Sequence, residues 1–492
     1  ALAGGDDAVL FDLDAGGNFT GTVLDGGAHS TGDSIGFTGT GTYTIDSAPL
    51  TAATNFEGLA VSGGGNFTVQ DTLDAGITQI DILEDNTELV LTGGNAYTAD
   101  VMGDGDHQEL TVDNATVNGD IDLGAGGDVL TLDLDDGAIN PTSPTGGISG
   151  GADIDTLALN DTDGSGEVID LDEYVLFEQL DLAGDGVITI DDTSDLDPVG
   201  ANNTSFATVN LADDTDLVIS DDSTLTAFIN GGTLGTDVEV EGVLAGDIDL
   251  DAGDDSFIID VVSGGSYTPD SIIAGADGGA GTDTVSILAD GAGPQTVNLE
   301  DFVQFEDLAL DGDEIFTLTG DDPDTPNSAT ESDFDLATLS SGADVVIDAA
   351  SDVTLDIDAS ADSLTNNLTV NGTLNGDVDL GAGDEEFVIA GIYNPTSTIA
   401  GADGGDGIDT VSFVGVTTDQ TIQLDDFVQF ENLGLDGDAT FTLAGDDPDT
   451  PNSATESDFD LINLTGEADV DISGDVTLDI VGDTTDNDVT ID

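Results

Sequence analysis

The stretch Asp301–Gly320, DFVQFEDLALDGDEIFTLTG, contains the pattern that decides the fold. Apolar and polar residues alternate in it, as in Phe-Thr-Leu at Phe316–Leu318, and the alternation returns at Val353–Ile357. Gly, Asp and Asn separate the alternating segments. This pattern indicates short β-strands between turns, because successive side chains of a strand point to opposite faces. No sustained helical period is visible in the sequence, which therefore predicts an all-β protein.

The same stretch belongs to a long internal repeat. The run GDDPDTPNSATESDFDL occurs unchanged at Gly320–Leu336 and Gly445–Leu461. A Phe-Glu-x-Leu motif occurs in four copies, at Phe56–Leu59, Phe177–Leu180, Phe305–Leu308 and Phe430–Leu433. We therefore divide the chain into four copies of about 125 residues, at 1–118, 119–245, 246–375 and 376–492.

A shorter period of about 25 residues lies inside each copy. In the third copy, acidic residues mark it at Asp255, Asp283, Glu306, Asp333, Asp356 and Asp377. Short strands at this spacing predict a β-solenoid of about 20 coils, in which each coil buries its inner face against its neighbours. Four tandem β-sandwich domains are the alternative, because the length of a copy suits both architectures.

The charge of the chain excludes several classes of partner. It has 106 Asp and Glu residues among 492 and no Lys or Arg, which gives a formal net charge of -106. Nucleic acids and acidic membrane surfaces would be repelled, and no side-chain cation is available for phosphate or dinucleotide chemistry. The carboxylates need screening by sodium or calcium, which extracellular conditions supply. The absence of Cys excludes disulfides and thiolate metal sites, and no apolar run reaches the length of a transmembrane helix.

Three related segments carry a resemblance to a known family: GDIDLGAGGD from Gly119, AGDIDLDAGDD from Ala245 and NGDVDLGAGDEE from Asn375. Together with the Phe-Glu-x-Leu motifs, they resemble the passenger regions of bacterial autotransporters and related surface β-helix adhesins. The resemblance implies a right-handed parallel β-helix, export to the cell surface, and an adhesive or structural role. The chain departs from the family in that no membrane barrel follows Asp492 and that Lys and Arg are missing.

Two further segments fit the calcium-binding nonapeptide of RTX-type β-rolls, at Gly278–Ser286 and Gly404–Ser412. In this motif glycines permit positive φ angles, and an Asp supplies a hard oxygen ligand. Each copy has only one nonapeptide, but a second Asp turn precedes it by about one coil. Stacking would bring the turns together, which makes Asp255 with Asp283 and Asp384 with Asp409 candidate calcium ligands. The alternative is that these are ordinary acidic turns.

A third candidate calcium turn contains Asp161 and Asp163, with Asp172 at the twelfth position of an EF-hand-like loop. Helices are not expected around it, so we interpret it as a solenoid turn with optional calcium. His107 could assist a transition metal, although a lone turn histidine is more often inert.

The sequence favours a structural function over an enzymatic one. Acidic pairs such as Asp254–Asp255 and Asp321–Asp322 recur in several copies, whereas a catalytic centre is normally singular. We expect an extracellular, non-enzymatic repeat protein of a cell-surface filament, sheath or adhesin stalk, stabilised by calcium. A polysaccharide-acting β-helix enzyme and a passive calcium-binding surface-layer component are the alternatives. Because both ends fall within a coil of the repeat, we also expect subunits to associate end to end. The class of carbohydrate or cell-surface ligand is left open.

Overall fold

The computed structural model describes most of the chain, namely residues 8–14, 24–25, 32–45, 53–73, 76–143, 147–161, 163–184, 186–191, 206–212, 215–269, 275–322, 334–397, 401–445, 459–473, 476, 478–485 and 487–491. The chain divides into two compact units. Unit one comprises Ala1–Val238 and Gly242–Gly246, and unit two comprises Glu239–Glu241 and Asp247–Asp492.

Each unit is a solenoid of parallel β-strands, as the sequence predicts, and the two contain about 17 turns in all, fewer than the expected 20 or so. The strand pairs described within the units are parallel, which rules out the β-sandwich alternative because sandwiches are built from antiparallel sheets. Helical structure in the described residues is limited to three short 3-10 segments, Leu171–Glu173, Leu299–Asp301 and Leu424–Asp426. The four copy boundaries stay a prediction from the sequence.

The strands of unit one lie in two long sheets and several short ones. The first long sheet contains Ala8–Asp12, Ser34–Thr38, Gly58–Ser62, Gln79–Leu83, Asp100–Met102, Ile121–Asp122, Ile148–Ser149 and Tyr174–Val175. The second contains Thr42–Ile45, Asn66–Val69, Thr87–Leu91, Gln108–Val112, Val129–Asp133, Thr156–Asp161, Gln179–Gly184, Thr208–Leu211 and Phe228–Asn230. The short sheets contain Asn95–Tyr97, Ala115–Val117 and Ala138–Ile139; Leu24–Asp25 and Ala53–Thr54; and Thr224–Thr226 and Val243–Ala245. A further run of strands, Glu167–Ile169, Val187–Ile190 and Asp216–Ile219, pairs in succession within unit one. The strand Asp237–Val240 spans the boundary of the units.

Unit two is built in the same way. One long sheet contains Ser256–Asp260, Thr284–Leu288, Asp307–Asp311, Leu336–Ser340, Asp356–Asp358, Val378–Asp379, Ala402–Asp403 and Phe427–Val428. The other contains Gln295–Asn298, Ile315–Thr319, Asp344–Ile347, Leu368–Val370, Glu386–Ile389, Thr410–Val416, Asn432–Gly437, Leu461–Gly466 and Asp479–Gly482. The remaining strands are Ile248–Asp249, Ala276–Asp277 and Phe302–Val303; Asp352–Val353, Thr373–Asn375 and Ile392–Asn394; Gln420–Gln423, Thr440–Ala444, Asp469–Ile472 and Val489–Ile491; Ala382–Gly383 and Asp406–Gly407; and Ser266–Thr268.

The core is a set of columns in which apolar side chains stack from one coil to the next. In unit one, Leu110, Leu130, Leu157, Leu180 and Val209 pair successively in register, and all are fully buried. Their neighbours in each strand point outward and are partly exposed, which is the alternation that the sequence showed. Burying a Leu side chain of this kind contributes about 2 kcal/mol, so the columns are the main stabilising element.

Candidate metal centre and buried carboxylate columns

The predicted ligand Asp161 is the last residue of the strand Thr156–Asp161, and the turn that follows folds around its carboxylate. Asp161 is fully buried, and its two carboxylate oxygens accept the backbone N–H groups of Gly164 at 2.9 Å and Gly166 at 3.0 Å. Gly164 and Gly166 have φ angles of +67° and +79°, a conformation that favours glycine. The sequence folds this way locally because the two glycines let the chain curl around the carboxylate.

Two further carboxylates join Asp161. Asp163 lies two residues on in the same turn and is exposed, with one oxygen accepting the N–H of Ser165 at 2.8 Å. Asp135 comes from the preceding coil, which is tied to this one by the N–H of Leu134 donating to the C=O of Asn160 at 2.8 Å. One carboxylate oxygen from each of Asp135, Asp161 and Asp163 lies within 4.8 Å of the other two.

The chemistry of this cluster fits a hard cation. Calcium takes six to eight oxygen ligands from carboxylates, carbonyls and water, and three converging carboxylates are a suitable start. The flanking segments are the strands Thr156–Asp161 and Glu167–Ile169. The loop is therefore a solenoid turn, as the sequence led us to expect. Asp135 could not be identified from the sequence, because the coil length that brings it beside Asp161 varies along the chain.

A second acidic cluster lies in unit two and has no counterpart among the sequence predictions. It consists of Glu239, Glu241 and Asp260, which each place one carboxylate oxygen within 4.8 Å of the other two. All three residues are partly exposed. The two oxygens of Asp260 already accept hydrogen bonds from Val262 and Ser263 in their own turn. The signal in the sequence is limited to the spacing of Glu239 and Glu241, two residues apart at the end of the strand Asp237–Val240.

The predicted pair Asp255 and Asp283 is brought together, but inside the protein rather than on a surface turn. The side chains are 2% and 0% exposed. Asp283 accepts the backbone N–H of Asp255 at 2.7 Å, and Glu306 accepts the backbone N–H of Asp283 at 2.8 Å. The backbone N–H of Glu306 in turn donates to the C=O of Asp283 at 3.1 Å. These acids form a buried carboxylate column, in which each side chain binds the backbone of the coil before it.

The predicted pair in the fourth copy divides between the column and the surface. Asp409 belongs to an equivalent column, where it accepts the N–H of Glu385 at 2.8 Å and donates its own N–H to Glu431 at 2.6 Å. The register places Glu385, and not Asp384, at the position of Asp255. Asp384 is exposed, and its carboxylate accepts the N–H of Ile408, the neighbour of Asp409, at 3.1 Å.

Unit one repeats the arrangement. Asp128 accepts the N–H of Gln108 at 2.7 Å, Asp155 accepts that of Asp128 at 2.7 Å, and Glu178 accepts that of Asp155 at 3.0 Å. A shorter example joins Glu57 to the N–H of Asp33 at 3.0 Å. The Glu of each Phe-Glu-x-Leu motif thus accepts from the last acid of its column. The Phe residues of the four motifs are buried: Phe56, Phe177, Phe305 and Phe430.

Burial in the columns changes how these acids titrate. It raises the pKa of Asp128 and of Asp155 to about 6, against the opposing effect of the backbone hydrogen bond that each accepts. It raises the pKa of Asp283 to about 7, with smaller contributions from Asp255 and Glu306. The pKa of Glu385 is also raised, first by burial and then by the facing carboxyl of Asp409. The columns therefore hold acids that protonate more readily than exposed ones.

His107 contacts the next coil and a neighbouring side chain. Its Nδ1 atom hydrogen-bonds to the C=O of Gly127 in the next coil, and its Nε2 atom lies 3.3 Å from a carboxylate oxygen of Glu109. Burial lowers the pKa of His107, but these two partners outweigh it and the net shift is upward. Both ring nitrogens are engaged in coil-to-coil or local contacts.

Comparison with known proteins gave no relatives. No protein-family model matches the chain, and no curated protein or solved structure is significantly similar to it. In the part of the chain that the structure describes, no helix is long and apolar enough to cross a membrane.

Proposed function

We propose that the protein is an extracellular structural protein, a repeat element of a cell-surface filament, sheath or adhesin stalk without enzymatic activity. The observation that carries this proposal is the role of the repeated residues. Glu57, Glu178, Glu306 and Glu431 recur in every copy, and each binds the backbone of the neighbouring coil. Their carboxylates serve coil stacking, whereas an enzyme would direct such groups toward a substrate.

The net charge supports an extracellular setting. With 106 acidic residues and no Lys or Arg, the surface carboxylates repel one another at low ionic strength. Salt and divalent cations outside cells relieve this repulsion. We also propose that the chain is related to the passenger regions of bacterial autotransporters.

We propose calcium as the stabilising ion, bound by Asp135, Asp161 and Asp163. The three carboxylates converge from two successive coils, so a bound ion would hold these coils together. An ion that binds only the folded state adds about 2.7 kcal/mol of stability at a hundredfold excess over its dissociation constant.

Self-association is proposed through strand edges. Val489–Ile491 is the outermost described strand of its sheet and pairs on one side with Asp469–Ile472. The N–H of Val470 donates to the C=O of Asp488, so the alternate backbone groups of the strand, at Val489 and Ile491, face away from this partner. The Val489 and Ile491 side chains are 44% and 71% exposed. An incoming strand of a second copy could pair there.

Electron microscopy and sedimentation of the purified chain test this function. We expect assemblies that grow with concentration and calcium. Val489→Pro removes an outward N–H donor and should shorten them, whereas Val489→Ala, which keeps the donor, should not. Monomers under all conditions, combined with cleavage of a polysaccharide by the purified chain, would replace the structural function with the enzymatic one.

A further inference from the structure

Unit two contains two equivalent grooves, one in each of the last two repeat copies. The first lies beside the strands Ser266–Thr268 and Gln295–Asn298 and has a volume of about 260 Å³. The second lies beside Ile392–Asn394 and Gln420–Gln423 and has a volume of about 270 Å³. A groove that recurs at the same position with nearly the same volume is a built feature of the repeat.

Each groove lies where one sheet stops and another begins. Among the described residues, Ser266–Thr268 and Ile392–Asn394 are the last strands of their sheets. Gln295–Asn298 and Gln420–Gln423 are the first strands of theirs. A terminal strand presents backbone N–H and C=O groups to whatever lies beside it. The grooves are therefore flanked by strand edges on both sides.

The floors of the two grooves are nearly identical. A tyrosine contacts two buried phenylalanines in each, and the ring centroids are separated by 5.0 Å for Phe257–Tyr267, 6.2 Å for Tyr267–Phe302, 5.0 Å for Phe387–Tyr393 and 6.1 Å for Tyr393–Phe427. Tyr267 and Phe302 line the first groove and Tyr393 and Phe427 line the second, while Phe257 and Phe387 pack against these rings from the core and support the base. Aliphatic and aromatic residues continue the lining: Ile259, Ile287 and Val297 in the first groove, and Ile389, Phe413 and Ile422 in the second.

A carboxylate stands at the same point of each groove. Asp301 lines the first and accepts the side-chain amide of Asn298 at 2.8 Å. Asp426 lines the second. Burial raises the pKa of both, as do the neighbouring Glu300 and Asp425. The lining is thus apolar along the floor, acidic at one point, and polar along the strands Gln295–Asn298 and Gln420–Gln423.

We propose that each groove binds an extended, cationic peptide segment of a partner protein, which adds as a β-strand to the flanking strand edges. Main-chain hydrogen bonds to the edges supply affinity in this mode, and alternate side chains enter the groove. The charge of the chain indicates that the partner segment is positive. A chain with a formal charge of -106 and no Lys or Arg attracts positive segments and repels negative ones. The partner segment should alternate apolar residues, which face the floor, with Lys or Arg, which reach Asp301 or Asp426. A partner with two such segments would occupy both grooves and bind bivalently.

Isothermal titration calorimetry of the full chain, at physiological salt, tests the proposal with a peptide of alternating Val and Lys. We expect saturable binding of two peptides per chain. The same peptide with N-methyl groups at alternate residues keeps its charge but loses strand donors, and it should not bind at these sites. Asp301→Asn with Asp426→Asn should weaken binding roughly fivefold, whereas Asp85→Asn with Asp113→Asn, which removes the same charge from exposed sites in unit one, should leave it unchanged.

Three results would overturn the proposal. Equal binding of the N-methylated peptide would show general charge attraction without strand addition. Unaltered affinity of the groove variant, with its fold verified by circular dichroism, would place the binding elsewhere. Binding of a neutral oligosaccharide that is weakened by the groove variant, together with no binding of the Val-Lys peptide, would assign the grooves to a carbohydrate.

Discussion

Asp283 shows how one side chain serves both the fold and its pH response. It is fully buried between Asp255 and Glu306, and burial raises its pKa to about 7. In the unfolded chain an Asp titrates near 4. A group whose pKa is raised on folding stabilises the fold fully below the unfolded value and loses that contribution as pH rises through the folded value. At pH 8, ionised Asp283 therefore lowers the free energy of unfolding.

Neutralising this residue should stabilise the protein at alkaline pH. Asp283→Asn retains an oxygen that can accept the N–H of Asp255, and it removes a buried charge. We expect a higher melting temperature at pH 8, corresponding to on the order of 1 kcal/mol or more, and little change at pH 5. The matched control is Asp254→Asn, an exposed neighbour whose loss should alter melting by less than about 0.5 kcal/mol at either pH. Equal effects of the two substitutions at pH 8 would mean that Asp283 is not buried as an ion.

Asp163 is the residue that best isolates the proposed calcium site. It is exposed, and Asn in its place can still accept the N–H of Ser165. We expect Asp163→Asn to leave the melting temperature in chelator nearly unchanged and to reduce the increase that calcium produces. Calorimetric melting in chelator and in millimolar calcium, at matched ionic strength, measures both. If the variant responds to calcium as fully as the parent protein, this cluster is not the stabilising site.

At the scale of the element, close contacts between coils depend on small residues. A Cβ atom at Gly281 would lie 1.4 Å from the C=O oxygen of Gly253 in the preceding coil. Gly281→Ala should therefore push the coils apart and destabilise the protein by about 2 kcal/mol or more. A Cβ atom at Gly105 would meet nothing within 4 Å, so Gly105→Ala should be close to neutral. Urea denaturation compares the two variants, and similar midpoints would contradict the close approach of Gly281 to Gly253 in the preceding coil.

Strands could be predicted from the sequence because alternation reports directly on the burial of side chains. The alternation in Phe316–Leu318 lies within one strand, whereas that in Val353–Ile357 falls on two short strands, Asp352–Val353 and Asp356–Asp358. The Phe-Glu-x-Leu motifs mark equivalent points of the coils. The carboxylate columns could not be predicted, because an Asp next to Gly has the same local pattern whether it faces water or a backbone N–H of another coil. Asp255 and Asp283 illustrate this, since both occur in turn-like sequences and both are buried.

Two of the three residues of the candidate metal site could be identified from the sequence, because they lie in one turn, whereas the third could not. Asp161 and Asp163 are close in sequence, and the glycines beside them indicate a turn around a carboxylate. Asp135 contributes from another coil, and the offset between coils ranges over several residues along the chain. Locating it requires the register of Val129–Asp133 against Thr156–Asp161, which only the structure provides.

At the scale of the whole molecule, the columns should make stability depend on pH in a predictable direction. Asp128, Asp155 and Asp283 have raised pKa values, so stability should increase as pH falls from 8 to about 5. Carboxylates with lowered pKa, such as Asp120 and Asp377, act in the opposite sense, and their contribution is lost as pH falls further, below about 4. Melting temperatures in chelator at constant ionic strength should thus pass through a maximum at mildly acidic pH. A steady decline from pH 8 to pH 5 would contradict this account.

Disulfide trapping tests most directly the central claim, that each coil stacks in register on the next. The chain has no Cys, so introduced pairs report without background. Thr131 and Ala158 are register partners with outward-facing side chains, as are Ser286 and Ala309 in unit two. Strands about 4.8 Å apart place such pairs within reach of a disulfide, whereas Thr131 with Asn160, two residues out of register, is disfavoured. The account predicts rapid oxidation of both register pairs and slow oxidation of the shifted pair. Equal rates for Thr131 with either partner, or no bond in the register pairs, would contradict the parallel solenoid.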